Sequence, residues 1–303
     1  MVAIVRRRLR GPRFAAVTPA LLAAVAIAGC NSSGSSYGTQ TTRAPSGASL
    51  PWPAPKLKHP TTIALTQSTP RRLELDPSRD YVLRLPLGHA LDVPYGFQIV
   101  GGHNVVMVGG TLHIERASGA MELVDQTGTV HIEGVRFTGP HLLEGFDLSE
   151  SRGATVELER VYVATVHGSR ETNHADLIQT WAGPRRLLID GFVGSTDYQG
   201  FFLLPNQHYS GPAPTLFDLR NVYIYDRGGY ALWLQTSPHV PVHVSHVVVT
   251  PNPTKPQPGE WLWPSPSTAS AWRDVTASAS VPQRVVTLAR ASGIRYPGFA
   301  AAG

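Results

Sequence analysis

Between Tyr81 and Pro253 short runs alternate apolar and polar residues with period two, the spacing of strands rather than helices. Placed one above another, the runs from Val105, Thr129, Thr155 and Arg186 align, and those from Leu216 and Val242 follow with a small shift. Val108, Ile132, Leu158, Ile189, Leu219 and Val244 form one apolar column. Val106, Val130, Val156, Leu187, Phe217 and Val242 form a second, two positions earlier. The residues between and after are mostly polar, His131, Glu157, Asp218 and His243 in one series and Glu133, Glu159, Asp190, Arg220 and Ser245 in the other. Alternation puts the apolar columns on a core face and the polar ones in water.

A turn position follows in each run, occupied by Gly110, Gly134, Arg160, Gly191, Asn221 and His246. Gly and Asn tolerate the positive φ of a sharp corner. Beyond it Val135, Val161, Phe192, Val222 and Val247 resume the core, and a later strand follows in MELV from Met121, GFDL from Gly145, HADLIQ from His174, GFFLL from Gly200 and ALWLQ from Ala231. Successive runs lie roughly 24 to 31 residues apart, a solenoid period. Two or three short strands per coil, without an amphipathic helix, give an all-β fold: a right-handed parallel β-helix with capping segments at both ends. An antiparallel sandwich would also space its strands regularly, but it leaves stacked columns of like residues unexplained. The pattern resembles the pectate-lyase-like β-helix superfamily over about Thr61 to Pro253. That resemblance implies a polysaccharide-binding groove on one parallel sheet, and lyase, hydrolase or epimerase chemistry.

The ends read differently. Arg6, Arg7, Arg8, Arg10 and Arg13 precede an apolar run from Phe14 to Ala28, which is the pattern of a signal peptide. Ile27-Ala28-Gly29-Cys30 resembles the lipobox of bacterial lipoproteins, implying cleavage before Cys30, acylation of its thiol (palmitate among the acyl groups) and attachment to the extracytoplasmic face of the cell membrane. Two acyl chains suffice for stable anchoring, and the cysteine is the only one in the chain. Five of the 26 Lys+Arg and none of the 21 Asp+Glu lie in this leader, so the formal charge of +5 disappears with it. A neutral mature chain gives no support to nucleic-acid binding. Residues 30–60, rich in Ser, Gly, Thr and Pro, are expected to form a disordered tether, with a folded cap around Trp52 and Leu57 as the alternative. Thr61 to Leu85 is expected to cover one end of the helix, and the 254–303 tail, through Trp261, Trp263 and Trp272, the other.

Candidate chemistry concentrates between Glu171 and Gln207. In a strand His174 and Asp176 share one side, and Asp197, Tyr198 and Gln199 come about one coil later. These five are polar residues that the repeat does not require, and they form the expected catalytic set. An inverting glycosidase needs two carboxyls ~6.5–9.5 Å apart, which Asp176 and Asp197 could supply from adjacent coils. A uronate lyase or epimerase needs a base, for which His174 or Tyr198 would serve, and a cation for the carboxylate, from Arg170 or Arg227. Gln179, Trp233 and those two arginines are the expected substrate-binding residues. Calcium on Glu171, Asp176 and Asp197 is the alternative to a metal-free site, but no calcium loop is present, so no cofactor is expected. His208, Tyr209, Asp226 and Arg227 would complete the groove walls. Several of these residues have plainer explanations: Asp190 as a solvated face residue, Gln179 and Gln235 as a structural amide ladder, Tyr223 and Tyr225 as surface rings. The expectation is a monomeric, lipid-anchored protein that binds a polysaccharide or cell-wall glycan and cleaves or epimerises it. The alternative is a non-catalytic glycan-binding or envelope lipoprotein.

Overall fold

A computed structural model of the protein describes residues 51–287, apart from 208–210, 237–238, 267–269, 284 and 286. Cys30 and the leader, with His208 and Tyr209, lie outside the described residues. The chain winds as a parallel β-helix with three faces, every strand pairing in parallel with its equivalents in the coils before and after.

The first face stacks Thr61–Ala64, Tyr81–Arg84, Val105–Val108, Thr129–Glu133, Thr155–Glu159, Arg186–Asp190 and the early halves of Leu216–Asp226 and Val242–Thr250. The second stacks Ala90–Val93, Thr111–Ile114, Arg136–Thr138, Tyr162–Val166, Val193–Thr196, the later halves of those two long strands, and Val275–Ala277. The third stacks Arg72–Leu75, Phe97–Gly101, Ser118–Val124, Leu142–Ser149, Asp176–Ala182, Gln199–Leu203, Leu232–Leu234 and Leu262–Trp263.

Between the first two faces the backbone turns through a left-handed residue in every coil: Gly134, Arg160, Gly191, Asn221 and His246, as the alignment expects. In the Val105 coil the alignment is one residue out. Val105 pairs with Val130 and Met107 with Ile132, so these two point inward, and Val106 and Val108 point outward, Val108 being 47% exposed. Gly109 then stands over Gly134, and the adjacent Gly110 supplies a second left-handed residue that absorbs the offset.

Inward residues of the three faces merge into one core running the length of the helix. Aromatic rings thicken it, with Phe137 against Phe146 at 5.0 Å and Phe192 edge-on to Phe201 at 5.1 Å. Emptying one such position, Phe201→Ala, would cost about 3–5 kcal/mol. Gly200 is required because a Cβ there would meet the Ala231 carbonyl oxygen at 2.1 Å. One corner of the interior is polar. Gln126 donates to the carbonyls of Ile99 and Gly101, both at 2.9 Å, and Glu150 accepts the Gln126 N–H at 2.8 Å. Burial pushes the Glu150 carboxyl up to about 8.

Both ends depart from expectation. Thr61–Ala64 is itself a strand of the first face, paired with Tyr81–Arg84, so this segment starts the helix instead of lying over it. Pairing also continues past Pro253, since Leu262–Trp263 and Val275–Ala277 extend the third and second faces. Trp261 and Trp272 are buried in the core, as a cap requires, whereas Trp263 is 50% exposed. Further on, Val281 and Val285 pack against Tyr162, Val193, Tyr223 and Val248 on the outside of the second face. Tyr223 is therefore buried, its hydroxyl 2.8 Å from that of Thr250, and only Tyr225 is the surface ring expected.

Most of the polar columns of the first face do not meet water, although Arg220, His243 and Ser245 towards its end are at least partly exposed. His131 and Glu159 are fully buried, and Glu133, Glu157, Asp190 and Asp218 nearly so. Residues 51–58 explain this. Arg220 stacks over the Trp52 ring, 5.0 Å from its centroid, and the Lys58 N–H donates to Asp80 at 2.6 Å. These anchors lie five strands apart, about 24 Å at ~4.8 Å per strand, which is within reach of an extended chain of this length. From Pro51 onward the segment expected to be tether is thus a strap laid along the first face. Asp190 accordingly is no solvated residue; it accepts a hydrogen bond from the Asn221 amide.

Candidate functional site on the third face

Along the third face the outward positions fall into register. Arg72 pairs with Gln98, Gln98 with Glu122, Glu122 with Asp147, Asp147 with Gln179, Gln179 with Phe202, Phe202 with Trp233 and Trp233 with Trp263. Their inward neighbours Phe97, Met121, Phe146, Ile178, Phe201, Leu232 and Leu262 are buried, which turns the column out. From Glu122 to Trp263 it runs about 24 Å at ~4.8 Å per strand. One half carries carboxyls and the other aromatic rings.

In the acidic half the carboxyls of Glu144 and Asp147 converge over Gly119, where an added Cβ would meet Glu144 Oε2 at 3.1 Å and Asp147 Oδ2 at 3.5 Å. Burial, then the mutual charge, pushes Asp147 well above the usual carboxylate range; Glu144 is raised by burial and by Asp176 and Glu122. The Trp181 indole N–H donates to Asp147 Oδ1 at 3.3 Å and opposes the shift. Gln98 Nε2 donates to Glu122 at 2.8 Å and orients it. Beside Glu122 opens a shallow cavity of about 350 Å³ lined by Gln98, Asp125, Ser149 and Ser151.

In the aromatic half His174 lies 5.1 Å from Tyr198, Tyr198 5.3 Å from Tyr230, Tyr230 6.3 Å from Trp233, and Trp233 5.6 Å from both Phe202 and Trp263. The rings make one continuous stripe. Lys255 Nζ sits 4.2 Å above Tyr230, and a cavity of about 190 Å³ opens between Tyr230, Trp233, Trp263 and Glu260. Planar rings in a row suit the apolar faces of sugar rings, which stack on them while hydroxyls find the flanking polar groups.

The expected catalytic residues divide. His174 and Tyr198 stand together in the stripe, and Gln199 pairs in register with Asp176, so four of the five gather at this face. Asp176, however, is wholly buried, with neither carboxyl oxygen hydrogen-bonded among the described residues. Burial, and next the charge of Asp147, holds its pKa well above the ordinary value. Asp197 belongs elsewhere. At the corner between the second and third faces it is bound to His167 at 2.7 Å and Arg227 at 3.2 Å, side chains of the coils before and after. An acid–base pair of Asp176 with Asp197 is therefore not available: one is shielded from substrate and the other is neutralised by its neighbours.

Among the expected substrate-binding residues, Trp233 lies in the stripe and Gln179 in the outward column, where its amide donates to Gln207 at 3.2 Å. Gln179 stacks on Phe202 and Trp233, not on Gln235, so the expected amide ladder does not form. Arg170 acts on Tyr198 by its charge, while Arg227 is held by Asp197. Asp226 is structural, its buried carboxylate accepting the N–H groups of Gly228, Gly229 and Tyr230 at 2.7–3.3 Å.

Glu122, Glu144 and Asp147 were missed, although a signal for two of them lies in the chain. The later strands read apolar–X–apolar, with Thr180 the one departure, and X is Glu122, Asp147, Gln179, Phe202 and Trp233 in turn. A second buried polar group lies under the strap. His131 bridges Glu157 at 2.8 Å and Glu133 at 3.5 Å, and Glu133 also pairs with Arg160. Its carboxylates raise His131 to about 9 despite burial, and burial raises Glu159 to about 8. Closed over by the strap, it has no surface to offer a ligand. Comparison with protein-family models, with curated proteins and with solved structures finds no match to this chain.

Proposed function

We propose that the third face binds a polysaccharide along the aromatic stripe and hydrolyses it at the carboxyl cluster. The observation that carries this reading is the carboxyl pair Glu144–Asp147, whose Asp147 stands on one outward column with Phe202, Trp233 and Trp263. Asp147, whose pKa is pushed well above the usual carboxylate range by burial and by Glu144, is the general acid for the leaving oxygen. Glu122 stands in register on the neighbouring strand and is the carboxylate placed to attack the sugar itself. The reaction is then hydrolysis through a glycosyl intermediate.

A uronate lyase fits less well. Its cation would have to be Arg227, which Asp197 occupies, or Arg170, and Tyr198 as base is disfavoured because burial raises its pKa. The wider setting belongs to the same proposal: a member of the pectate-lyase-like superfamily, anchored through acylated Cys30 on the extracytoplasmic face of a bacterial membrane. The Cys30→Ala protein should be released from membranes, and retention of it would remove that part. For the activity, reducing-end release from a panel of neutral, amino and uronate glycans is measured for wild type and Asp147→Asn. Turnover by the wild type with loss in the variant supports hydrolysis. Binding without turnover in both leaves a glycan-binding module.

A further inference from the structure

We infer that the sugar seated at the carboxyl cluster carries a free amino group, so that the substrate is an amino-sugar polysaccharide instead of a uronate or an uncharged one. The inference rests on the reading of the third face as a glycan groove. Glu122, Glu144 and Asp147 are half-buried side by side, with Asp176 fully buried below them. Both Asp176 oxygens lack a hydrogen-bond partner among the described residues. The charges that act most strongly on Glu144, Asp147 and Asp176 are those of other carboxyls. The adjoining cavity of about 350 Å³ adds Asp125 and the hydroxyl-bearing Ser149 and Ser151, again with no basic side chain in its lining. Arg72, the cation of this column, lies two strands from Glu122 and is bound to Glu74 and Gln98.

A carboxylate brought here would add like charge to a patch whose carboxyls already raise one another's pKa. An uncharged sugar would leave the imbalance in place. An ammonium relieves it and makes charge-assisted hydrogen bonds to the carboxylates.

Calorimetric titration with short oligomers of glucosamine, of N-acetylglucosamine and of galacturonate, at one ionic strength, tests the inference. Glucosamine oligomers should bind the wild type at least about tenfold more tightly than the N-acetylated ones, the size of one added charge-assisted bond. The preference should vanish in Glu122→Gln/Asp147→Asn, whereas Trp233→Ala should weaken both ligands together. Equal affinity for the N-acetylated oligomers, or tighter binding of galacturonate, overturns the amino-sugar assignment and leaves the groove standing. Absence of binding by all three overturns the groove and the assignment with it.

Discussion

The Trp181 indole donates to Asp147 Oδ1 at 3.3 Å, from one strand to the next across the acidic half of the third face. Such a bond favours the ionised carboxylate, while burial and Glu144 favour the protonated one more strongly. Trp181→Phe keeps the ring and removes the donor, so the Asp147 pKa rises further. A general acid is lost as pH climbs through its pKa, so the alkaline limb of the kcat profile on the substrate found in the glycan panel should move to higher pH. An unchanged limb would mean that Asp147 is not the titrating acid.

Asp147→Asn should lower kcat by ~10²–10⁴-fold, the usual contribution of a positioned acid. If Glu122 attacks the sugar from one strand away, the products should keep the anomeric configuration of the substrate. Proton NMR of the first product formed reads this directly. Inverted product would place water between the carboxyls and reassign the base.

Stability should fall as the medium turns alkaline. Glu150 and Glu159 are raised to about 8 in the folded protein, so between the ordinary carboxylate range and pH 8 the native state holds protons that the unfolded chain has released. Stability decreases with pH wherever the native state binds more protons. His131, raised to about 9, acts in the same direction, its contribution being complete below its ordinary value and lost as pH passes 9. Melting temperatures from pH 5 to 9 should therefore decline, and Glu150→Gln should flatten the slope by removing one of the three groups. A flat wild-type profile would count against the buried protons.

The strap is open to a separate test. Trp52→Ala removes a ring stacked under Arg220 and should destabilise the protein by ~1–2 kcal/mol in denaturant titration. Amide exchange should quicken on Thr129–Glu133 and Thr155–Glu159, beneath the strap, and not on Gln199–Leu203, on another face. Uniform exchange across the faces would show that residues 51–58 do not cover the first.

Much of this architecture is present in the chain as a pattern. Period-two alternation fixes which side of a strand is apolar, and repetition of Val130, Val156, Leu187 and Phe217 at coil spacing allows only stacking of like on like. The corner residues Gly134, Gly191 and Asn221 announce themselves because few others accept a positive φ. What alternation cannot give is what lies over an outward face. His131, Glu159 and Asp190 alternate as solvated residues do, and only a strap contributed from far along the sequence buries them. Nor does proximity in sequence decide proximity in a groove. Asp176 and Asp197 lie 21 residues apart, yet one is sealed beneath its neighbours and the other is claimed by His167 and Arg227. Glu122, Asp147, Gln179, Phe202 and Trp233 come from five different coils, and only the register of the third face, set by core packing, makes a single surface of them. The sequence by itself determined the repeat, its corners and its core, because these depend on local backbone preference and on burial of one strand side. Which polar residues meet, which are covered and which hold a proton was decided by tertiary structure, because charge and solvation act through space.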